Sequence, residues 1–237
     1  MELHPSGPAR ARLESICTRI WKCKPSHLLE GCPSIVPSIM SSIRVAAIPA
    51  YGVEEVVDLL TSAFTGYEAM DYMLGDGRTD HRLRALVGYF VRSRSAVGSP
   101  IFGVRHDDGR LVAAAVTDPP HPLVRSEPED LRHGLGADVI ERMERFGRAI
   151  APLEPAQPHH YVGMIGVDAE HRRLGYARAI LDHVQESARA DHDSIGVVLT
   201  TERSSNVPIY ASIGFEVIGE ATTADGLLTS WTLLRSA

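Results

Sequence analysis

The chain of 237 residues is 44% hydrophobic, 23% charged and 6% aromatic, with a formal net charge of −6. These values are typical of a soluble protein with one large or two small domains, and they exclude a disordered or fibrous chain. A net acidic chain lacks the footprint of a nucleic-acid-binding protein. No apolar run approaches the roughly 18 residues of a membrane span, and the first residues do not form a secretory signal. We therefore expect a cytoplasmic protein without nucleic-acid or membrane partners.

The first 39 residues differ in composition from the rest of the chain. All three cysteines and both lysines precede Met40. The cysteine spacing fits neither a zinc knuckle nor an even-numbered disulfide framework. Two interpretations stay open: an N-terminal extension that nothing ties down, or a misassigned start upstream of a true start at Met40. We predict an extension over residues 1–41 and a folded domain over residues 42–235.

Hydrophobic periodicity predicts strands and helices from Met40 onward. The first half predicts a strand, two helices, two strands and a helix, over residues 42–48, 53–64, 82–92, 100–104, 111–116 and 128–150. The second half predicts a strand, a helix, a strand, a short helix and two closing strands, over residues 161–167, 175–190, 195–200, 206–213, 215–218 and 227–234. Residues 67–80 and the proline-rich residues 118–128 are expected to be loops. The strand, helix and strand of the C-terminal third indicate a parallel crossover unit.

The joint between the strand and the helix of that unit is a candidate phosphate site. A buried strand ends at Val167, and arginines and small residues follow. Free N–H groups at a helix N-terminus bind phosphate, and Gly175 and Ala177 leave room for a pyrophosphate against the main chain. Three arginines can add counter-charge: Arg172, Arg173 and Arg178. A solvated arginine face is the alternative interpretation.

The residues of this joint resemble a known signature. Arg172-x-x-Gly175-x-Ala177 is similar to the pyrophosphate-binding motif of the GNAT superfamily of N-acetyltransferases, Arg/Gln-x-x-Gly-x-Gly/Ala. The stretch from Ile165 to Leu181 also resembles that family's coenzyme A segment. Residues 206–216 resemble its second motif, an Asn, a Tyr four residues later and then Gly-Phe. Two motifs in the right order and spacing are more specific than either one, and the resemblance covers the chain from about Ser42.

The resemblance implies an α/β acyltransferase fold, with a central mixed, mostly antiparallel sheet that is flanked by helices and splayed at the coenzyme site. It implies transfer of an acetyl group from acetyl-CoA to a primary amine of a small molecule by direct attack, without a metal. Tyr210 would protonate the departing thiolate. The coenzyme would contact Ile165, Val167, Arg172, Arg173, Leu174, Gly175, Tyr176, Ala177, Arg178 and Asn206. From the residues alone, Tyr210 could be a core residue and Asn206 a helix N-cap.

The sequence leaves the general base open. Residues 64–67 and 230–232 resemble the puromycin N-acetyltransferase-like subgroup, in which the second strand of the crossover unit usually ends Leu-Glu-Thr-Ser. Here Thr200 occupies the glutamate position, and Glu202 lies two residues further on. The other candidates are His159, His160 and a water molecule. Each histidine could instead be a hydrogen-bonded residue at the edge of the sheet.

The acceptor is not identified by the sequence. We expect its site to involve the first two helices and residues 67–80 and 118–128, because loops tolerate change while a scaffold holds the coenzyme. Acidic side chains there would suit a cationic amine: Glu68, Asp71, Asp76 and Asp80. The missing subgroup glutamate also supports a second hypothesis, a non-catalytic acyl-CoA-binding sensor or inactive homologue. Monomer and homodimer are both compatible with the sequence.

Overall fold

The computed structural model describes residues 43–121 and 134–237. The predicted N-terminal extension over residues 1–41 lies outside the described residues. So do residues 122–128 of the proline-rich segment and the predicted helix start at Pro128. Among the described residues, no helix is both long and apolar enough to cross a bilayer.

The described chain contains the predicted strands and helices in the predicted order, with one additional helix, α2. Its elements are β1 (Val45–Ala47), α1 (Val53–Ala63), α2 (Glu68–Leu74), α3 (Asp80–Ala96), β2 (Ile101–Arg105), β3 (Leu111–Asp118), α4 (Ala137–Ile150), β4 (His160–Val167), α5 (Tyr176–Ala190), β5 (Gly196–Thr201), α6 (Val207–Ala211), β6 (Glu216–Thr222) and β7 (Thr229–Ser236). The strands form one sheet in the order β1-β2-β3-β4-β5-β7-β6. Among these described strands, β4 and β5 pair in parallel and all other neighbours pair antiparallel. The predicted mixed, mostly antiparallel sheet and its crossover unit are confirmed.

Two apolar cores lie against the sheet. One contains the buried residues of α1, α2 and α3, and the other contains those of α5. Strand β3 is buried along its whole length, as a central strand between two helical layers is expected to be. The helical periodicity predicts an apolar stripe on α1, of which Val53, Val56, Val57 and Leu60 are buried and Phe64 is partly buried. It predicts a second stripe on α5, of which Ile180, Val184 and Ala188 are buried.

Two predicted elements are wrong in extent or type. Residues 67–80, predicted as a loop, contain the helix α2 and a 3₁₀ turn over Gly75–Gly77. Helix α2 forms because its apolar residues bury against the first core, and no sequence cap marks its start. The helix predicted from Pro128 begins at Ala137 in the described chain. Gly136 before it has a φ of 84°, in the left-handed region that a right-handed helix cannot include.

A β-bulge in β4 opens the sheet. Met164 pairs with Val116, but Val162 pairs with Thr117, so Gly163 is an extra residue in β4. The pairing of β4 with β5 runs only from His160 to Val162. Beyond the bulge the two parallel strands diverge, and a cleft lies between them. The predicted splay of the sheet is confirmed.

Gly166 lies where helix α1 packs closely against β4. A Cβ at this position would lie 2.7 Å from the Leu60 Cδ2 and 2.7 Å from the Ala63 Cβ, both on α1. Real carbon atoms do not approach this closely, so any side chain would push the helix from the strand. The missing side chain therefore fixes the distance between α1 and the strand that lines the cleft.

We predict that Gly166→Ala lowers the free energy of unfolding by about 1–3 kcal/mol, because the buried contact is overpacked. Gly147→Ala in α4 is the matched control, since nothing lies within 4 Å of the added Cβ there. That variant should keep or raise stability, by up to about 1 kcal/mol. Urea unfolding measures both. Equal stability of Gly166→Ala and the parent would contradict this packing.

Candidate active site

The cleft between β4 and β5 is the candidate active site. Its volume is about 580 Å³. It follows β4 from Tyr161 to Val167 and reaches the turn before α5, and the end of β5 and helix α6 form its other wall. Residues from α2, α3 and α4 close it on the remaining sides. The splay of the sheet thus creates one continuous space beside the predicted coenzyme turn and Tyr210.

The turn before α5 has a conformation that few sequences adopt. Gly175 precedes the helix with a φ of 88°, and Arg173 has a φ of 66°. A non-glycine residue in this region is uncommon, and such residues concentrate at functional sites. No side chain caps the helix, and its first backbone bond runs from the Ala179 N–H to the Gly175 carbonyl. The N–H groups of Tyr176, Ala177 and Arg178 therefore have no partner within α5 and are available to an anion.

The side chains of this turn are mostly exposed. Arg172, Arg173 and Leu174 are solvent-exposed, and the Arg172 Nε lies 3.5 Å from the Val167 carbonyl. The Arg178 guanidinium lies 3.5 Å from Asp182, one turn further along α5. Both contacts are long, at 3.5 Å, and therefore weak. The guanidinium groups can leave them and turn toward a bound phosphate.

The backbone of β4 presents unpaired groups to the cleft. The N–H of Asp168, directly after β4, donates to the Val112 carbonyl beside β3 at 2.9 Å. Because N–H groups alternate between the two sides of a strand, those of Ile165 and Val167 point away from β3, toward the gap to β5. The pairing of β4 with β5 has already ended at Val162. The two predicted coenzyme residues therefore carry open donors along the cleft.

Glu202 follows β5 directly, and its side chain faces the cleft with 9% of the residue exposed. Burial raises the pKa of its carboxyl group to about 7, although hydrogen bonds from Tyr67 and Ser230 work in the opposite direction. Thr200 lines the same cleft, so the glutamate shifted by two positions stays on the face of the expected subgroup residue. A carboxyl group with this pKa exchanges a proton near neutral pH.

Tyr67 anchors the chain around Glu202. Its hydroxyl group lies 3.0 Å from the Thr201 Oγ1 and accepts a hydrogen bond from the Glu202 N–H at 3.1 Å. Burial raises the pKa of the phenol further above its ordinary range. The Arg203 guanidinium lies over the Tyr67 ring, at 5.2 Å from its centre, and pairs with Glu68 at 2.9 Å. The residues before α2 and after β5 are thus tied together beside the cleft.

Tyr210 lies in the cleft, on helix α6. Burial raises the pKa of its phenol to about 12, and the Glu202 charge adds to this shift. Its ring contacts Phe215 edge-on at 5.8 Å. The Asn206 amide, also in the cleft, donates to the Thr201 Oγ1 at 3.1 Å. Asn206 occupies the N-cap position of α6, as the alternative interpretation predicted, but its side chain makes no cap hydrogen bond.

Several other candidates do not line the cleft. The His159 Nδ1 lies 2.8 Å from the Gln157 carbonyl, and His160 lies at a separate surface depression beside Asp191. The predicted acidic acceptor side chains also point elsewhere: Glu68 pairs with Arg203, Asp71 pairs with Arg78 at 3.1 Å, and neither Asp76 nor Asp80 lines the cleft. Within the described residues, no group of three or more His, Cys, Asp or Glu side chains is arranged to hold a metal ion.

Sequence reasoning missed four residues that line or support the site. They are Tyr67, Arg94, Tyr161 and Ser230. Tyr67 and Ser230 belong to the short stretches that resemble the puromycin N-acetyltransferase-like subgroup, which was the available signal. Arg94 and Tyr161 carry no motif, because their position depends on the packing of α3 against the bulge of β4.

Comparison with known proteins agrees with this geometry. Residues 147–230 match the acetyltransferase (GNAT) domain family. Similar solved structures include histone acetyltransferase HPA2 and related acetyltransferase from Corynebacterium glutamicum, at 23% identity and a TM-score of 0.58, covering 83% of this chain and 97% of that chain. They also include the polyamine N-acetyltransferase of Drosophila melanogaster, at 16% identity and a TM-score of 0.54. That match covers 83% of this chain and 100% of that chain. Arylalkylamine N-acetyltransferase 2 from Aedes aegypti is 13% identical, with a TM-score of 0.60, and the match covers 82% of this chain and 99% of that chain.

The match over residues 147–230 assigns this part of the chain to the acetyltransferase (GNAT) domain family, and the structural similarities show the fold. The family implies acetyl-CoA as the cosubstrate. The predicted family, fold and enzyme class are confirmed. The puromycin N-acetyltransferase-like subgroup stays a prediction.

We predict that Glu202→Gln raises the free energy of unfolding, relative to the parent, by more at pH 8 than at pH 5. The carboxyl pKa rises from 4.5 to about 7 on folding, so the folded state holds its proton while the unfolded chain loses it. The parent therefore loses on the order of 2 to 3 kcal/mol of its free energy of unfolding as the pH rises from 5 to 8. Glutamine carries no charge at either pH and escapes this loss.

Urea unfolding at the two pH values checks this prediction. Glu186→Gln, at an exposed position of α5, is the control. It should change the free energy of unfolding by the same amount at pH 5 and at pH 8. If Glu202→Gln also gave no difference between pH 5 and pH 8, the buried carboxyl group would not have the raised pKa described here.

Proposed function

We propose that the protein transfers an acetyl group from acetyl-CoA to a primary amine of a small molecule by direct attack. Glu202 acts as the general base and Tyr210 as the general acid. The observation that carries this proposal is that the buried Glu202 carboxyl group lies in the same cleft as Tyr210 and the open edge of β4. The assignment of Glu202 chooses among the candidates that the sequence left open.

The coenzyme binds along β4 and at the N-terminus of α5. The N–H groups of Ile165 and Val167 hold the pantetheine arm as an added strand would be held. The pyrophosphate contacts the turn from Arg172 to Arg178, where free N–H groups and guanidinium groups provide positive charge. Asn206 hydrogen-bonds the coenzyme from the opposite wall. The whole coenzyme site is thus built from the two motifs that resemble the family.

The chemistry needs a base, an oxyanion donor and an acid. Glu202 accepts the proton of the ammonium group, directly or through a water molecule, and leaves a neutral amine that attacks the thioester carbonyl. An N–H group of Ile165 or Val167 stabilises the tetrahedral oxyanion. When the carbon–sulfur bond breaks, Tyr210 donates its proton to the thiolate. Because the pKa of Tyr210 is raised to about 12, the phenol keeps this proton until the thiolate forms.

The acceptor is a primary amine with an apolar body. The acceptor side of the cleft is lined by methionine, phenylalanine and isoleucine side chains: Met70, Met73, Phe90, Phe146 and Ile150. Several proteins with a similar fold are N-acetyltransferases for polyamines or arylalkylamines by name. An apolar wall favours alkyl or aryl amines over polyamines, since a second ammonium group would lose its hydration without a partner.

The alternative, a non-catalytic acyl-CoA sensor, loses its support in this site. It depended on Thr200 standing where the subgroup has a glutamate. Glu202 supplies a carboxyl group on the same face of β5, inside the cleft.

The proposed function predicts thiol release from acetyl-CoA in the presence of small primary amines such as phenethylamine. Tyr210→Phe should lower kcat by about 100-fold or more, because a proton donor contributes about 10²- to 10⁴-fold. The affinity for acetyl-CoA, measured by titration calorimetry, should stay within a few-fold. The rate of the parent should rise with pH through about 7, as the Glu202 carboxyl group loses its proton.

Tyr51→Phe is the control for this assay, because Tyr51 is 90% exposed and lies outside the cleft. It should behave as the parent does. Full activity of Tyr210→Phe would remove Tyr210 as the acid. Coenzyme binding without thiol release, for every amine tried, would instead support the sensor.

A further inference from the structure

Arg94 is a buried cation beside the acceptor side of the cleft. It lies on α3, and 8% of the residue is exposed. Its Nε pairs with Asp118 at 3.0 Å, and Asp118 also accepts a hydrogen bond from Ser99 at 3.1 Å. The guanidinium group lies over the bulge of β4, where a Cβ on Gly163 would come within 2.8 Å of its Nη2. The bulge glycine thus makes room for Arg94 to reach the cleft.

The outer nitrogens of Arg94 are without acceptors among the described residues. Arginine carries five N–H donors in a rigid fork, and only the Nε donor is used by a described partner. Among the described residues, these outer nitrogens do not belong to the fully buried polar atoms that lack a partner, so they keep access to open space. Because Arg94 also lines the cleft, its open donors face a space that a ligand can fill.

Tyr161 relates Arg94 to the proposed base. Burial raises the pKa of the Tyr161 phenol, a hydrogen bond with Thr200 lowers it, and the charges of Arg94 and Glu202 act on it in opposite directions. The Tyr161 phenol therefore interacts electrostatically with both the Arg94 guanidinium and the Glu202 carboxyl group. Arg94, Tyr161 and Glu202 all line the same cleft, so one bound acceptor can contact Arg94 as well as Glu202.

We propose, on the basis of the proposed function, that the acceptor amine carries an oxygen atom within a few bonds of its nitrogen. Arg94 binds this oxygen through its outer nitrogens and so determines substrate specificity. The oxygen belongs to a carbonyl or a carboxylate group, since both match a guanidinium donor. The apolar body of the acceptor then lies against the methionine and phenylalanine side chains of the cleft.

The test compares three amines of one skeleton: phenethylamine, phenylalaninamide and phenylalanine. Arg94→Lys keeps a positive charge for Asp118 but lacks the planar fork of donors. The readout is the ratio of kcat/KM between each oxygen-bearing amine and phenethylamine. A general loss of activity, or a difference in amine basicity, cancels when this ratio is compared between parent and variant.

We expect the parent to prefer at least one oxygen-bearing amine, and Arg94→Lys to reduce that preference by about 10-fold or more, as expected for hydrogen bonds to a charged group. Which of the two is preferred distinguishes a carbonyl from a carboxylate. Arg92→Lys, on the same helix but paired with Glu54 away from the cleft, is the matched control and should keep the parent's ratio.

Thermal-shift titration of the same amines in the presence of coenzyme A tests binding without turnover. Equal ratios in parent and Arg94→Lys, or no stabilisation of the parent by any of the three amines, overturns the role of Arg94. Selective stabilisation by an oxygen-bearing amine that Arg94→Lys loses, without any thiol release, supports the role of Arg94 and contradicts the proposed function instead.

Discussion

The divergence of β4 from β5 is the constraint on which the site depends. Two parallel strands that separate after three residue pairs leave one strand edge without partners. Such an edge is normally a liability, because open N–H groups attract other strands. Here a single extra residue, Gly163, ends the pairing and opens a cleft. The open edge then becomes a place where an extended ligand can bind as a strand would.

The same divergence determines where the charges lie. The turn after β4 begins α5, so the positive end of that helix lies at the cleft. The end of β5 carries Glu202 into the cleft from the other wall, under Tyr67. Burial there makes the carboxyl group a better base, and it also makes the ionised form unfavourable for the fold. Catalytic groups often reduce stability in this way.

The parts of the site that depend on local conformation could be predicted from the sequence. Gly175 adopts a positive φ before a helix, and this requirement is visible in the residue type itself. The buried faces of α1 and α5 could be predicted as well, because their apolar residues recur at helical spacing within one short segment. Helix α2 could not be predicted, because seven residues between glycines gain their helicity from tertiary packing.

The role of Glu202 was one of several possibilities until the fold was known. Its pKa depends on burial and on Tyr67, which precedes it by 135 residues. His159 and His160 are equally plausible bases by residue type, and only their position excludes them from the cleft. Arg94 is a similar case, since its open donors and its approach to Gly163 are properties of packing. Chemistry that depends on long-range contacts needs the structure.

Hydrogen exchange of the full chain, with and without saturating acetyl-CoA, tests the central claim most directly. The claim is that the unpaired edge of β4 and the turn before α5 hold the coenzyme. We expect slower exchange in peptides that cover residues 163–178, and unchanged exchange in the hairpin of β2 and β3. Saturated binding that protects other segments, and leaves residues 163–178 unchanged, would contradict the account.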